Sequence, residues 1–210
     1  MVARANEQTR VRPRGRPKAT EGLDTRAELL RVARELFSTH GYAATSMTDI
    51  TARAGVTVPV IYQRFGSKAG LYVAVAEDVY TRSLAVLREI TEPEGSFHEA
   101  VDALLAGFAQ VFELDRTMGT MVATVLLDVE RHDELAAALR PSLRALRAYI
   151  DDLVALAPPE LAPDTQARND LSRALVALLG GLMSYSALLH SADDYERTVA
   201  AMRRLILPTT

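Results

Sequence analysis

The sequence predicts an all-α protein of about nine helices, and three observations predict it. Apolar residues recur at helical spacing along most of the chain, and Gly or Pro falls where several such stretches end. No stretch alternates apolar and polar residues as a half-buried strand would. The composition agrees, since 49% of the 210 residues are hydrophobic and 24% charged, with Ala, Leu and Val dominating the apolar set.

Residues 1–20 contain Arg4, Arg10, Arg12, Arg14, Arg16 and Lys18 but no apolar period, so they read as a flexible basic arm that cannot build a core. The first helix is expected to open at Thr25, because Thr25-Arg26-Ala27-Glu28 matches a capping box. Leu29, Val32, Ala33, Leu36 and Phe37 then form one apolar face, and His40-Gly41 ends the helix. Ser46-Met47-Thr48-Asp49 caps a second, short helix that stops at Gly55. Thr57 caps a third helix running to Phe65; with Pro59 early in it, the Thr57 hydroxyl is expected to receive the Val60 N–H. Two short helices about a Gly-centred turn make a helix-turn-helix. Ser67 opens a long helix that Glu92-Pro93-Glu94-Gly95 interrupts beyond Thr91. Further helices are expected over 96–114, 117–131, 133–156, 163–191 and 193–207, with Pro141 beginning or kinking a segment inside the third of these.

Charge divides the chain. The net charge of −3 conceals +6 in residues 1–68 and −9 in residues 69–210. A basic end of this size points to a polyanion, and the acidic remainder to a different task. The organisation read from these features is a basic arm (1–20), a helix-turn-helix unit (21–68) and a helical remainder (69–210).

The absence of Cys excludes disulfides and thiolate chemistry and fits a cytoplasmic location. The first twenty residues contain no signal-peptide h-region. Ala174 to Ala192 is uncharged, but its Gly, Ser and His residues fit packing within a helical assembly rather than a membrane span. There is no glycine-rich phosphate loop and no Gly-x-Ser-x-Gly elbow, and His98, His132 and His190 are too dispersed for a metal site. No enzyme, cofactor or metal is therefore expected. Asp133-Glu134 and Asp193-Asp194 fit helix starts, where the dipole favours them, and Asp151-Asp152 fits a solvated face.

A dense set of spaced residues carries a resemblance. Leu29-Leu30, Ala33, Leu36-Phe37, Gly41-Tyr42, Thr45-Ser46, Asp49-Ile50, Ala54-Gly55-Val56-Thr57, Ile61-Tyr62, Phe65 and Ser67-Lys68 resemble the tetracycline-repressor (TetR) family of bacterial transcription regulators. The resemblance implies an N-terminal three-helix DNA-binding unit, a C-terminal helical unit for ligand binding and dimerisation, and a homodimer whose third helix enters the major groove.

Residue chemistry supports that expectation. Thr57, Tyr62, Gln63, Arg64 and Lys68 can all donate to phosphates or base edges, Arg pairing with guanine and Gln with adenine. Val58 and Pro59 stand where the family favours polar or small residues, which suggests contact with thymine methyls or none. Met47 likewise replaces a commonly polar position, and Thr45 belongs to the same candidate DNA-binding set. In the arm, Pro13-Arg14-Gly15-Arg16-Pro17 has the form of an AT-hook core, with Arg14 and Arg16 in a narrow minor groove; a solvated tail is the alternative.

For the C-terminal unit, Leu104, Phe108, Phe112, Met118, Met121 and Tyr149 are candidate lining for an apolar small-molecule effector, or else plain core. The resemblance places the last two helices at the dimer interface, through Leu175, Leu178, Gly181, Leu182, Tyr185, Tyr195, Val199 and Met202. The expected function is a ligand-responsive transcription regulator, a repressor released from a palindromic operator by its effector. The alternative is an architectural binder of A·T-rich DNA without an effector.

Overall fold

The computed structural model describes residues 19–91, 95–186, 188–189 and 191–206, with side chains from position 25 onward except at 112, 186 and 192. Among the described residues the secondary structure is helical, without a strand. The helices are α1 (Ala19–Ala44), α2 (Met47–Ala54), α3 (Val58–Phe65), α4 (Lys68–Ile90), α5 (Phe97–Leu114), α6 (Arg116–Arg131), α7 (Asp133–Val154), α8 (Thr165–Ser186) and α9 (Ala192–Ile206).

The boundaries follow local chemistry, with three departures from expectation. Helix α1 begins upstream of Thr25, so that residue does not mark its start, and Glu28 accepts from Arg31 Nε at 2.9 Å. Its helical path breaks at Gly41 (φ 75°), and one further turn follows. Pro141 lies inside a single α7 rather than dividing it. Both Pro141 and Ala137, whose carbonyl loses its usual i+4 partner there, are exposed, so water can meet that carbonyl. Thr57 makes no side-chain cap; the Val60 N–H bonds its backbone carbonyl at 3.0 Å. The other caps form as read, with Ser46 Oγ receiving the Asp49 N–H at 3.1 Å and Ser67 Oγ the Gly70 N–H at 2.9 Å. Ser96 and Glu99 complete a further capping box, on α5.

Helix α4 is the spine. Leu71, Tyr72, Val75, Ala76, Val79, Tyr80, Leu84 and Leu87 are all buried, and the helix packs against α1, α3, α5, α6 and α7. At 1.5 Å per residue its 23 residues span about 35 Å, from the foot of α3 to the far side of the helical bundle. Close approach of α5 depends on Gly107, since a Cβ there would lie 2.8 Å from Leu87 Cδ2.

Helix α6 is the second connecting member and packs heavily on α1 and α8. Its buried Asp128 accepts from the Tyr72 hydroxyl at 2.8 Å and from the Tyr42 N–H at 2.9 Å. The turn at Gly41 delivers that N–H. Tyr72 stands edge-on to Phe37, with centroids 4.9 Å apart, and to Tyr42, at 5.3 Å. At the other end of α6, buried Arg34 of α1 bonds Thr117 Oγ1 at 2.8 Å and pairs with Asp115. Two polar latches thus tie α1 to α6.

Candidate functional site

Helices α2 and α3 and the foot of α4 form the first candidate site. The turn between α2 and α3 uses Gly55 in the left-handed region (φ 66°), which a side chain rarely adopts. Ile50 and Ile61 are fully buried and anchor one side of each helix. The opposite side of α3 is left to solvent. Thr57, Pro59, Tyr62, Gln63 and Arg64 are all exposed there, and the Tyr62 side chain keeps 49% of its surface. An exposed phenol, amide and guanidinium on consecutive residues can reach both phosphates and base edges.

Four expected contacts fare differently. Thr45 is buried, and its hydroxyl donates to the carbonyls of Gly41 at 2.8 Å and Leu36 at 3.3 Å, so it secures the end of α1 rather than facing DNA. Met47 and Val58 are half-buried, with Met47 packed on the core. Lys68 donates from Nζ to the Ala43 carbonyl at 3.2 Å and sits 4.7 Å from the Tyr42 ring centroid. Burial holds its ammonium below the ordinary lysine value, with the Asp128 carboxylate opposing that shift. Its first role is therefore to join α4 to the end of α1. Arg14 and Arg16 lie outside the described residues.

The foot of α4 holds the reading helix at a set angle. A Cβ on Gly70 would collide with the Phe65 carbonyl oxygen, so the α3–α4 turn requires glycine for space alone. Arg26 of α1 lies over the Phe65 ring, 5.9 Å from its centroid, and Arg53 of α2 bonds Glu35 of α1 at 2.6 Å.

The second candidate site is a small cavity of about 40 Å³ between α4, α5, α6, α7 and α8. Its wall is formed by Tyr80, Ser83, Leu84 and Leu87 of α4, Phe108 of α5, and Val122 and Leu126 of α6. Leu146 and Ile150 of α7, with Val176, Leu179, Gly180 and Met183 of α8, close it. No wall residue carries a formal charge. The Tyr80 and Ser83 hydroxyls are buried with no hydrogen-bond partner. Leaving such a group unpaired costs about 1–3 kcal/mol. Burial pushes the Tyr80 phenol well above the ordinary tyrosine value, so it stays protonated and can only gain by donating.

Of the expected lining residues, Phe108 is in the cavity wall. Leu104, Met118, Met121 and Tyr149 are buried away from it in the core, and the Tyr149 hydroxyl lies 3.1 Å from Thr91 Oγ1. The Phe112 side chain lies outside the described residues. The α4 wall residues fall at i, i+3, i+4 and i+7, a spacing identical to that of solid core.

The expected dimer residues divide in the same way. Leu175, Leu182, Tyr195 and Val199 are buried inside a single chain and serve its own core, which corrects their assignment to a subunit contact. Gly181 and Tyr185 are exposed, while Leu178 and Met202 are half-buried.

Comparison with known proteins decides the family. A family model described as bacterial regulatory proteins, tetR family, matches residues 29–75, from α1 into α4. The AlkX regulator of Mycobacterium tuberculosis is 30% identical over 192 residues, covering 87% of this chain and 83% of that protein. The chain belongs to the TetR family. It is a DNA-binding transcription regulator of the helix-turn-helix type. Among TetR-type relatives, the transcriptional activator FasR of Mycolicibacterium smegmatis is 34% identical over 111 residues, and the match spans 48% of this chain and about half (51%) of FasR. The structure of Salmonella enterica GusR superposes with a TM-score of 0.66 at 26% identity, covering 91% of this chain and 99% of GusR.

Proposed function

We propose that this TetR-family chain is a ligand-responsive repressor: a homodimer that reads a palindromic operator through α3 and leaves it when a small apolar effector enters the cavity. One observation carries the reading. The two helices that form much of the cavity wall, α4 and α6, are also the helices that hold α1 and α3. Val122 and Leu126 of α6 line the cavity, and Asp128, two residues on, grips Tyr42 and Tyr72. Tyr80 of α4 lies twelve residues, or about 18 Å, from the Lys68 foot beside α3. An occupant that displaces either helix therefore moves the reading head. Two such heads must match successive major grooves about 34–36 Å apart, so a small tilt breaks the match. A hundredfold loss of operator affinity corresponds to about 2.7 kcal/mol of differential effector binding.

Within this reading Tyr62 contacts phosphate, Gln63 and Arg64 read bases, and residues 1–20 form a separate basic arm with Arg14 and Arg16 toward the minor groove. Residues 21–68 and 69–210 act as reading and regulatory units.

The test is selection of duplexes from random DNA by the purified protein at about 150 mM salt, a concentration at which nonspecific phosphate binding is weak. Recovery of one palindrome is expected, and apolar compounds that raise the melting temperature are expected to release it. Recovery of generic A·T-rich DNA alone would support the architectural reading instead. A reporter placed behind the recovered operator sets the sign, since repression falls on effector addition and activation would rise or fall from an elevated level.

A further inference from the structure

We propose that the cavity takes an uncharged, largely apolar molecule bearing one hydrogen-bond acceptor, such as a ketone or ester carbonyl, which receives hydrogen bonds from Tyr80 and Ser83. This deepens the effector reading above and rests on it.

Tyr80 and Ser83 lie three residues apart on α4, hence on one face, and both belong to the cavity wall. Buried helical Ser and Thr residues ordinarily return their hydroxyls to the carbonyl four residues back. Thr91 does so to Leu87 at 2.8 Å and part-buried Thr124 to Thr120 at 2.8 Å. Ser83 does not, and its hydroxyl has no partner. Tyr80 differs from the other inward tyrosines in the same respect, since Tyr72 donates to Asp128 and Tyr149 bonds Thr91 and the Leu87 carbonyl. Two donors left unpaired on one face, beside the same cavity, call for an acceptor from outside the chain.

The remainder of the wall sets the other properties of the molecule. Leu, Val, Ile, Phe, Met and Gly supply every other wall position, so the body must be apolar. A carboxylate is disfavoured because no Lys, Arg or His lines the cavity to offset loss of its hydration. The open space is only about 40 Å³, so a molecule of effector size enters by displacing the flexible Leu, Met and Phe side chains of the wall.

The experiment compares methyl decanoate, decane and decanoate, which share chain length and differ at the head group. Each is titrated at pH 8 into the full-length protein, its Tyr80→Phe and Ser83→Ala variants, and the double variant, with binding followed by displacement of an apolar fluorescent dye. Melting temperatures of the unliganded variants are measured in parallel. The ester is expected to bind wild type most tightly, and each substitution to weaken it about three- to tenfold, consistent with loss of one neutral hydrogen bond. Decane affinity should be unchanged by either substitution. Because neither hydroxyl has a partner in the free protein, both variants should melt at or above the wild-type temperature. Equal binding of all three probes, indifferent to the substitutions, overturns the head-group inference and leaves the effector cavity standing. Tightest binding of decanoate overturns the neutral class. Failure of every probe to bind, with operator binding intact, overturns the cavity reading itself.

Discussion

Asp128 is a buried carboxylate that receives hydrogen bonds both from α4 and from the end of α1. Replacing it with alanine leaves the Tyr72 hydroxyl and the Tyr42 N–H without that acceptor. The expected cost is about 2–4 kcal/mol, read from the urea midpoint at unchanged slope. Operator affinity should fall as well, because the reading head loses one of its two latches. An unchanged midpoint would show that water replaces the carboxylate without loss. Thr45 and Lys68 teach a related lesson at this scale. Both fit a DNA-contacting role by residue type, yet each has partners in the α1 end, and only the bend at Gly41 brings them there.

The α3–α4 corner governs how the recognition helix is presented. Gly70→Ala introduces a methyl group against the Phe65 carbonyl, and backbone cannot yield as a side-chain tip can. We expect α3 to swing from its seat and operator affinity to drop at least tenfold, about 1.4 kcal/mol, in a fluorescence-anisotropy titration. Gly107→Ala serves as the control, because its clash is with the flexible Leu87 and Ile90 side chains between α4 and α5. That change should lower melting temperature more than it lowers operator affinity. Element ends were legible to within a few residues because caps are local. Ser46, Gly55 and Ser67 all act within four residues of themselves. The start of α1 was not legible in this way. Its capping box at Thr25 is a real local pattern, but a helix already running from Ala19 leaves that box no end to cap.

At the scale of the molecule, two predictions follow from what is buried and what is not. Tyr72, Tyr80, Tyr149 and Tyr195 are inward-facing, and burial raises each phenol above its ordinary value of 10.0. Such groups contribute stability that is fully present below pH ~10 and is lost as pH rises toward their folded values. Melting temperature should therefore be flat through neutral pH with respect to these groups and fall in the alkaline range, with tyrosinate absorbance at 295 nm appearing together with loss of helix. Tyrosinate appearing well before helix loss would contradict their burial. The second prediction concerns assembly. Ala174, Ala177, Gly181, Ser184, Tyr185 and Leu188 form an exposed strip of small and apolar residues along and just beyond α8. Light scattering should give about twice the 22.9 kDa chain mass, and Gly181→Arg should give the single-chain mass, since nothing within the chain lies near a Cβ there. A persistent dimer in that variant would place the contact elsewhere.

Helix order, the helix-turn-helix and the exposed face of α3 could be read from the chain alone because each depends on residues a few positions apart. Capping, periodicity and glycine conformation are short-range effects. Which inward residues surround empty space, which pack solidly and which are left for a second chain depended on five helices meeting. Periodicity shows that Tyr80, Leu104 and Leu175 point inward, but it carries no information about what stands opposite. Only the meeting of α4, α5, α6, α7 and α8 puts Tyr80 beside a cavity, leaves Leu104 in solid core and closes Leu175 within its own chain. Packing is a relation between surfaces distant in sequence, and its outcome is decided where those surfaces meet.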